Sequence, residues 1–209
     1  MIDGKLELCR CYYTRNGRLE SFGKITNKNK EELKQGTWLY LFNTGNVQNK
    51  AFYNGEGKLE GNCKVWYKNG SLLRDFYYVN GKQEGPFLQY FDDGVLRYKT
   101  TYKNDLLNGE LYSYSNTGAL RSIEKYVNDT TNGICIYYTS NADKSSVLKQ
   151  IKGKTDSLAV YYYPSGKISS TSWFKDDVRS GESVFYYENG TIQHKGLYNN
   201  GKQVGHRLS

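Results

Sequence analysis

Hydrophobic and polar positions along this chain keep a fixed phase to a recurring glycine. Taken as position zero, that glycine falls at Gly17, Gly45, Gly70, Gly94, Gly118, Gly166 and Gly190. The steps are 28, 25, 24, 24, 48 and 24 residues, the 48 being two periods with one glycine missing near Ala142. Four residues earlier stand Tyr13, Leu41, Trp66, Tyr90, Tyr114, Tyr138, Tyr162 and Tyr186. Two residues later stand Leu19, Val47, Leu72, Leu96, Leu120, Ile168 and Ile192, and eight later Ile25, Tyr53, Tyr78, Tyr102, Tyr126, Phe174 and Tyr198. A second glycine sits nine residues before zero at Gly36, Gly61, Gly85, Gly109, Gly133 and Gly181. Self-similarity at this period signals a repeat architecture.

Each period reads as a β-hairpin. Asn-Gly and its relatives supply the positive φ angles of a tight turn. A three-residue turn with the glycine left-handed pairs position minus four with plus two, an aromatic opposite an aliphatic, which is a favourable cross-strand pair. The return connections are short, as in "YVNGKQEG" (78–85), so the hairpins should run on as one antiparallel meander. The predicted fold is all-β: a single elongated domain over 1–209, about eight units of 24 residues and sixteen strands. The units span about 4–25, 34–53, 59–78, 83–102, 107–126, 131–151, 155–174 and 179–198, with a tail at 199–209. "NKNKEELKQ" (27–35) suits one helical turn in the long first connection. The sixth unit lacks its turn glycine, and Ser157 replaces the glycine that opens the seventh, so a longer, altered tip is expected over 137–157.

The stretch "GKLEGNCKVWYKNGSLLRDFYYVNGKQEGPFLQYFDDG" (57–94) resembles the variant MORN repeat. The likeness runs from about residue 4 to 205 through G-x-W/F-x-x-Y/F, N-G-x-L and Y-x-N-G-K. This resemblance implies a bacterial protein of the group often described as antitoxin components of toxin–antitoxin systems. It also implies, through classical MORN repeats, an affinity for anionic membrane surfaces.

Composition narrows the rest. Aromatic content of 15%, with 21 Tyr, argues against disorder, although hydrophobic content is only 37% and mean hydropathy −0.77. The formal net charge of +8 suits acidic partners. The basic runs "GKITNKNKEELK" (23–34) and "KSSVLKQIKGKTD" (144–156) lack a basic-aromatic nucleic-acid pattern, so no specific nucleic acid is expected. Cys9, Cys11, Cys63 and Cys135 have no metal-ligand spacing and read as reduced thiols, and His194 and His206 as ordinary polar residues. No phosphate-loop, G-x-S-x-G or H-E-x-x-H motif occurs. An enzyme is not expected, nor a cofactor or a metal. With no signal peptide and no run of ~20 apolar residues, a cytoplasmic location is expected, or the cell envelope if a leader has been removed.

Positions minus four, plus two and plus eight hold the same residue types from unit to unit, as one shared structural face would. Positions minus seven, minus five and minus three vary, with Trp38, Tyr67, Phe91, Tyr163 and Tyr187 among Ser113, Ser115, Thr139 and Gln89. Aromatics on a partly open sheet face suit a protein interface. The candidate partner-binding residues are therefore Trp38, Tyr67, Phe91, Tyr163 and Tyr187, with Lys149 and Lys152 from the altered sixth unit. The expected partner is an acidic protein such as a cognate toxin. The alternatives are an anionic membrane surface and a purely structural spacer.

Overall fold

The structure, a computed structural model, describes residues 9–28 and 31–207. Every strand pairing is antiparallel, and no helix occurs among the described residues. The first strands are β1 (Cys9–Tyr13), β2 (Leu19–Lys28), β3 (Glu31–Leu41), β4 (Val47–Tyr53) and β5 (Gly61–Trp66). Then come β6 (Leu72–Val79), β7 (Lys82–Tyr90), β8 (Leu96–Lys103), β9 (Leu106–Leu107) and β10 (Gly109–Tyr114). They are followed by β11 (Leu120–Val127), β12 (Thr130–Tyr138), β13 (Lys144–Ile151), β14 (Lys154–Thr155) and β15 (Leu158–Tyr162). The last are β16 (Ile168–Lys175), β17 (Val178–Tyr186), β18 (Ile192–Asn199) and β19 (Lys202–Arg207). The chain is an all-β meander of hairpins. It forms two compact units: one up to Arg97 with Thr101–Asp105, the other Tyr98–Thr100 with Leu106 onward.

The strand count exceeds sixteen for two reasons. β9 and β14 are two-residue pieces set off by a break before the following strand, and part of the supposed tail, Lys202–Arg207, pairs with β18. Residues 31–35 continue β3 rather than forming a helical turn; 29 and 30 lie outside the described residues.

The hairpin tips follow one rule. The Tyr67 N–H donates to the Ser71 carbonyl at 2.9 Å, and the Gly70 N–H to the Tyr67 carbonyl at 3.0 Å, with Gly70 at φ +90°. That is the three-residue turn with a left-handed last residue. Its register is the expected one: Trp66 pairs Leu72, Tyr114 pairs Leu120, Tyr162 pairs Ile168 and Tyr186 pairs Ile192. The sixth tip is neither longer nor altered. Its Thr139 N–H donates to the Asp143 carbonyl at 2.8 Å, and Ala142 takes the left-handed position at φ +64°. A backbone that closes seven other tips this way also holds an alanine in the glycine's place.

The return after Tyr53 is a three-residue turn, closed by the Asn54 N–H on the Lys58 carbonyl at 2.9 Å with Gly57 at φ +75°. The later returns are two-residue turns with both φ positive, such as Asn80–Gly81, Asn128–Asp129 and Asp176–Asp177. Each second residue donates its N–H to a carbonyl 22 residues back: Asp129 to Leu107, Gly153 to Thr131, Asp177 to Thr155 and Gly201 to Arg179, at 2.8–3.0 Å. Where that residue is Asp, its carboxylate also accepts an N–H from the preceding turn. Asp129 accepts from Leu107 and Asp177 from Thr155, both at 2.6 Å. Successive returns are thus bonded to one another along each unit.

One feature overturns the expected assignment of faces. Tyr186 pairs Ile192, yet Phe185 pairs His194, so Gln193 is an extra residue at plus three. The same bulge recurs at Glu20, Gln48, Leu73, Arg121, Ser145 and Ser169. One inserted residue sends every later side chain of that strand to the other face. Position plus eight therefore does not share a face with minus four and plus two. It lies with minus nine, minus seven and minus five, where Tyr78 pairs Gly61, Tyr126 pairs Gly109 and Tyr198 pairs Gly181.

This second face is the packed one. Nearly all buried residues stand on it: Ser21, Ile25, Trp38, Ala51 and Cys63 in the first unit, and Thr100, Ser122, Cys135, Ala159, Ser172 and Ser183 in the second. In the second unit the buried residues at minus seven and plus six are small: Thr100, Cys135, Ala159, Ser172 and Ser183. Val184 is the buried residue on the other, open face.

Candidate partner-binding face

On the open face of the second unit, one row of paired positions crosses seven strands without a charge. Tyr112 of β10 pairs Ile123, Ile123 pairs Ile136, Ile136 pairs Val147 and Val147 pairs Val160. Val160 pairs Thr171, Thr171 pairs Val184, and only then comes Lys195. β-branched residues suit a pleated, half-buried surface, which explains why this row reads as strand so strongly. The next row is more open. Ile134 is 59% exposed, Trp173 49% and Leu197 52%, with Leu158 paired to Trp173 between them. Ile168, at plus two, is exposed as well.

Lysines are set into this apolar field. Lys149 pairs Ile134, Lys144 lies 5.5 Å from the centre of the Tyr162 ring, and Lys195 stands 3.9 Å from Glu182. Lys125 pairs Glu110 in the register of β10 and β11. The same row in the first unit is broken by charge: Leu39 pairs Lys50, Lys50 pairs Lys64, and Lys64 bridges Asp75 at 3.2 Å. The charge-free row of the second unit is half-buried, and the exposed Ile134, Trp173 and Leu197 beside it extend it into a contiguous apolar area of the kind that marks an interaction surface.

The packed face of the second unit carries the polar chemistry instead. Ser113 and Ser122 share a hydroxyl bond of 2.7 Å, Ser122 donates to the Glu124 carboxylate at 2.8 Å, and Tyr126 donates to it at 3.2 Å. Burial, followed by the Glu124 charge, pushes the Tyr126 phenol up to about 12. Burial pushes Tyr137 up further, again with Glu124 as the next cause. Burial also raises the Cys63 and Cys135 thiols. Cys135 Sγ lies 3.9 Å from the Gly133 carbonyl and 3.9 Å from the Gln150 Oε1. Cys11, Cys63 and Cys135 are free thiols, and the side chains of Cys9 and His206 lie outside the described ones. His194 stacks on Phe185 at 4.2 Å between centroids.

The seven residues singled out from the sequence do not form one surface. Trp38 is fully buried on the packed face and cannot be an exposed anchor. The Tyr67 hydroxyl donates to the Tyr90 carbonyl at 2.9 Å, and that of Tyr163 to the Tyr186 carbonyl at 2.6 Å, each tying one tip to the next. Phe91 lies under the Arg97 guanidinium at 5.3 Å. Tyr187 is an exposed tip residue, and Lys152 sits in a return turn at φ +50°. Lys149 alone of the seven stands in the open apolar field. The apolar residues beside Lys149 that were not singled out from the sequence are Ile134, Leu158, Trp173 and Leu197. Their signal was present as apolar residues at minus eight and plus seven, in units whose earlier counterparts at minus eight hold Thr37 and Asn62.

A family model described as the MORN repeat variant matches residues 59–80, 83–104 and 179–200. No curated protein matches the chain. Similar solved structures include TcdB2-TccC3, at 12% identity and TM-score 0.23, covering 93% of this chain and 14% of that one. Another is a Photorhabdus luminescens Tc holotoxin pore, at 14% identity and TM-score 0.19, covering 92% and 12%. A porin-like protein from Bacteroides uniformis aligns at 12% identity and TM-score 0.21, covering 97% and 89%. The chain thus spans about a seventh of the TcdB2-TccC3 chain it matches. At such TM-scores these likenesses carry no functional argument.

Proposed function

We propose that this chain is a non-catalytic repeat module that binds a protein partner on the open face of its second unit. The partner would be acidic, in the manner of a toxin covered by an antitoxin or immunity protein. The observation that supports this reading most is the charge-free row from Tyr112 to Val184, flanked by exposed Ile134, Trp173 and Leu197. Trp supplies the kind of anchor that dominates binding energy at interfaces, and lysines in the field steer an acidic partner. The matched repeats favour a binding role in general, and they do not name a partner.

A second reading has its own support. Lysines beside exposed apolar rings also suit an anionic membrane surface. Two assays separate the readings: co-purification with the products of adjacent genes, and flotation with phosphatidylserine vesicles. The protein reading expects one such product to be retained by the wild type and lost by Trp173→Ala and Leu197→Ala, with the strand circular dichroism intact. Lys149→Glu should slow association and reduce its salt dependence. Retention unchanged by all three substitutions removes this face from the proposal. Flotation that depends on the same residues, without protein retention, favours the membrane.

A further inference from the structure

In the first unit, the Lys34 ammonium has no carboxylate partner among the described residues. Glu32, two residues away on β3, is taken by Arg10. The ammonium lies instead among three rings, 4.6 Å from the centre of Trp38, 4.9 Å from that of Tyr40 on its hydroxyl side, and 5.6 Å from that of Tyr53. It donates one hydrogen bond, to the Tyr40 hydroxyl at 2.8 Å, and that hydroxyl shares a 2.8 Å bond with Tyr53. All three distances fall within the ~6 Å over which a ring face attracts a cation.

Trp38 and Tyr53 are held by contacts that do not involve Lys34. Trp38 donates its indole N–H to the Lys24 carbonyl at 2.8 Å and lies against Gly23, where a Cβ would come 2.5 Å from the ring. Tyr53 meets Trp38 edge-on at 6.5 Å, and Tyr12 leans on it at 5.9 Å. The bulge between Gln35 and Trp38, with Gly36 at φ +67°, lets the strand place Lys34 over the indole. Aromatic rings with two neutral phenol hydroxyls, and no carboxylate, imidazole or thiolate among the described residues, suit an alkylammonium better than a metal ion.

We propose that Trp38, Tyr40 and Tyr53 form an alkylammonium site whose built-in occupant is Lys34. Withdrawing Lys34 opens it to an alkylammonium from outside, such as a lysine side chain of a partner. The inference is independent of the open face of the second unit.

The test uses the full chain with Trp66→Phe and Trp173→Phe, which leaves Trp38 as the sole tryptophan of three. Lys34→Ala and Lys34→Met are made in that background and titrated with n-butylammonium chloride against sodium chloride of equal ionic strength. Both variants should show a saturable change in Trp38 emission and a raised Tm, at least ten times weaker when Lys34 is present. Adding Tyr53→Leu to Lys34→Ala should abolish the response. If Lys34→Ala does not fold, recovery of strand circular dichroism by n-butylammonium and not by sodium chloride supports the site. The proposal is overturned by no saturable response in either variant, by an equal response with Lys34 in place, or by misfolding that n-butylammonium does not reverse.

Discussion

Gly23 lies against Trp38 so closely that any side chain would have to displace the indole. Gly23→Ala should therefore cost about 1–3 kcal/mol, the usual range for forcing an extra group into a filled space. Chemical denaturation checks this, and a loss near zero would mean the ring has room to move. The tyrosines of the packed face give a second prediction at this scale. Burial, then Glu124, raises Tyr126 from 10 in the unfolded chain to about 12 in the fold. The neutral phenol's contribution is then complete below pH 10 and is lost as pH climbs through about 12. Phenolate absorbance should reveal a late-titrating set of tyrosines that ionises together with loss of strand signal, and Tyr126→Phe should soften that alkaline transition. A single titration near pH 10 with the strands intact would contradict it.

Among hairpins, the sequence shows its register and conceals its parity. The pairing of minus four with plus two follows from an aromatic and an aliphatic recurring around one glycine, and the structure has it. The bulge at plus three carries no chemical mark. Its occupants are Glu20, Gln48, Leu73, Arg121, Ser145, Ser169 and Gln193, because a bulge of this kind needs no positive φ and selects no residue type. Counting by twos from plus two to plus eight therefore lands on the wrong face. One clue was available: glycine at minus nine and tyrosine at plus eight both recur, and aromatic rings favour a seat over a cross-strand glycine. Those two positions can face each other only if one residue is inserted between the two pairings. The sixth tip taught the converse. A missing glycine changed neither length nor bonds: the tip closes through Thr139, whose hydroxyl also accepts from the Asp143 N–H at 3.2 Å, with Ala142 left-handed. Ala142→Gly should stabilise by about 0.5–1 kcal/mol. A left-handed residue costs roughly 1–2 kcal/mol, and glycine's extra unfolded freedom returns roughly 0.4–1. A lowered Tm would show that the turn is not strained.

For the whole molecule, the repeat made the fold readable from end to end while leaving the candidate site mostly hidden. Lys149 was singled out because it lies in the unit that lacks its turn glycine. Ile134, Trp173 and Leu197 were missed because apolar residues at minus eight and plus seven were counted with no face at all. Residues 134 and 135 decide which face is packed. They are adjacent in β12 and point to opposite faces, Ile134 59% exposed and Cys135 fully buried. The direct measurement is the unfolding free energy of Ile134→Asp and Cys135→Asp, read by urea denaturation of the full chain. Ile134→Asp should change stability by no more than about 0.5 kcal/mol, as an exposed position allows. Cys135→Asp should cost about 3–5 kcal/mol or prevent folding, because it leaves a charge buried without a partner. Equal losses, or the reverse order, would show that the faces have been assigned the wrong way round.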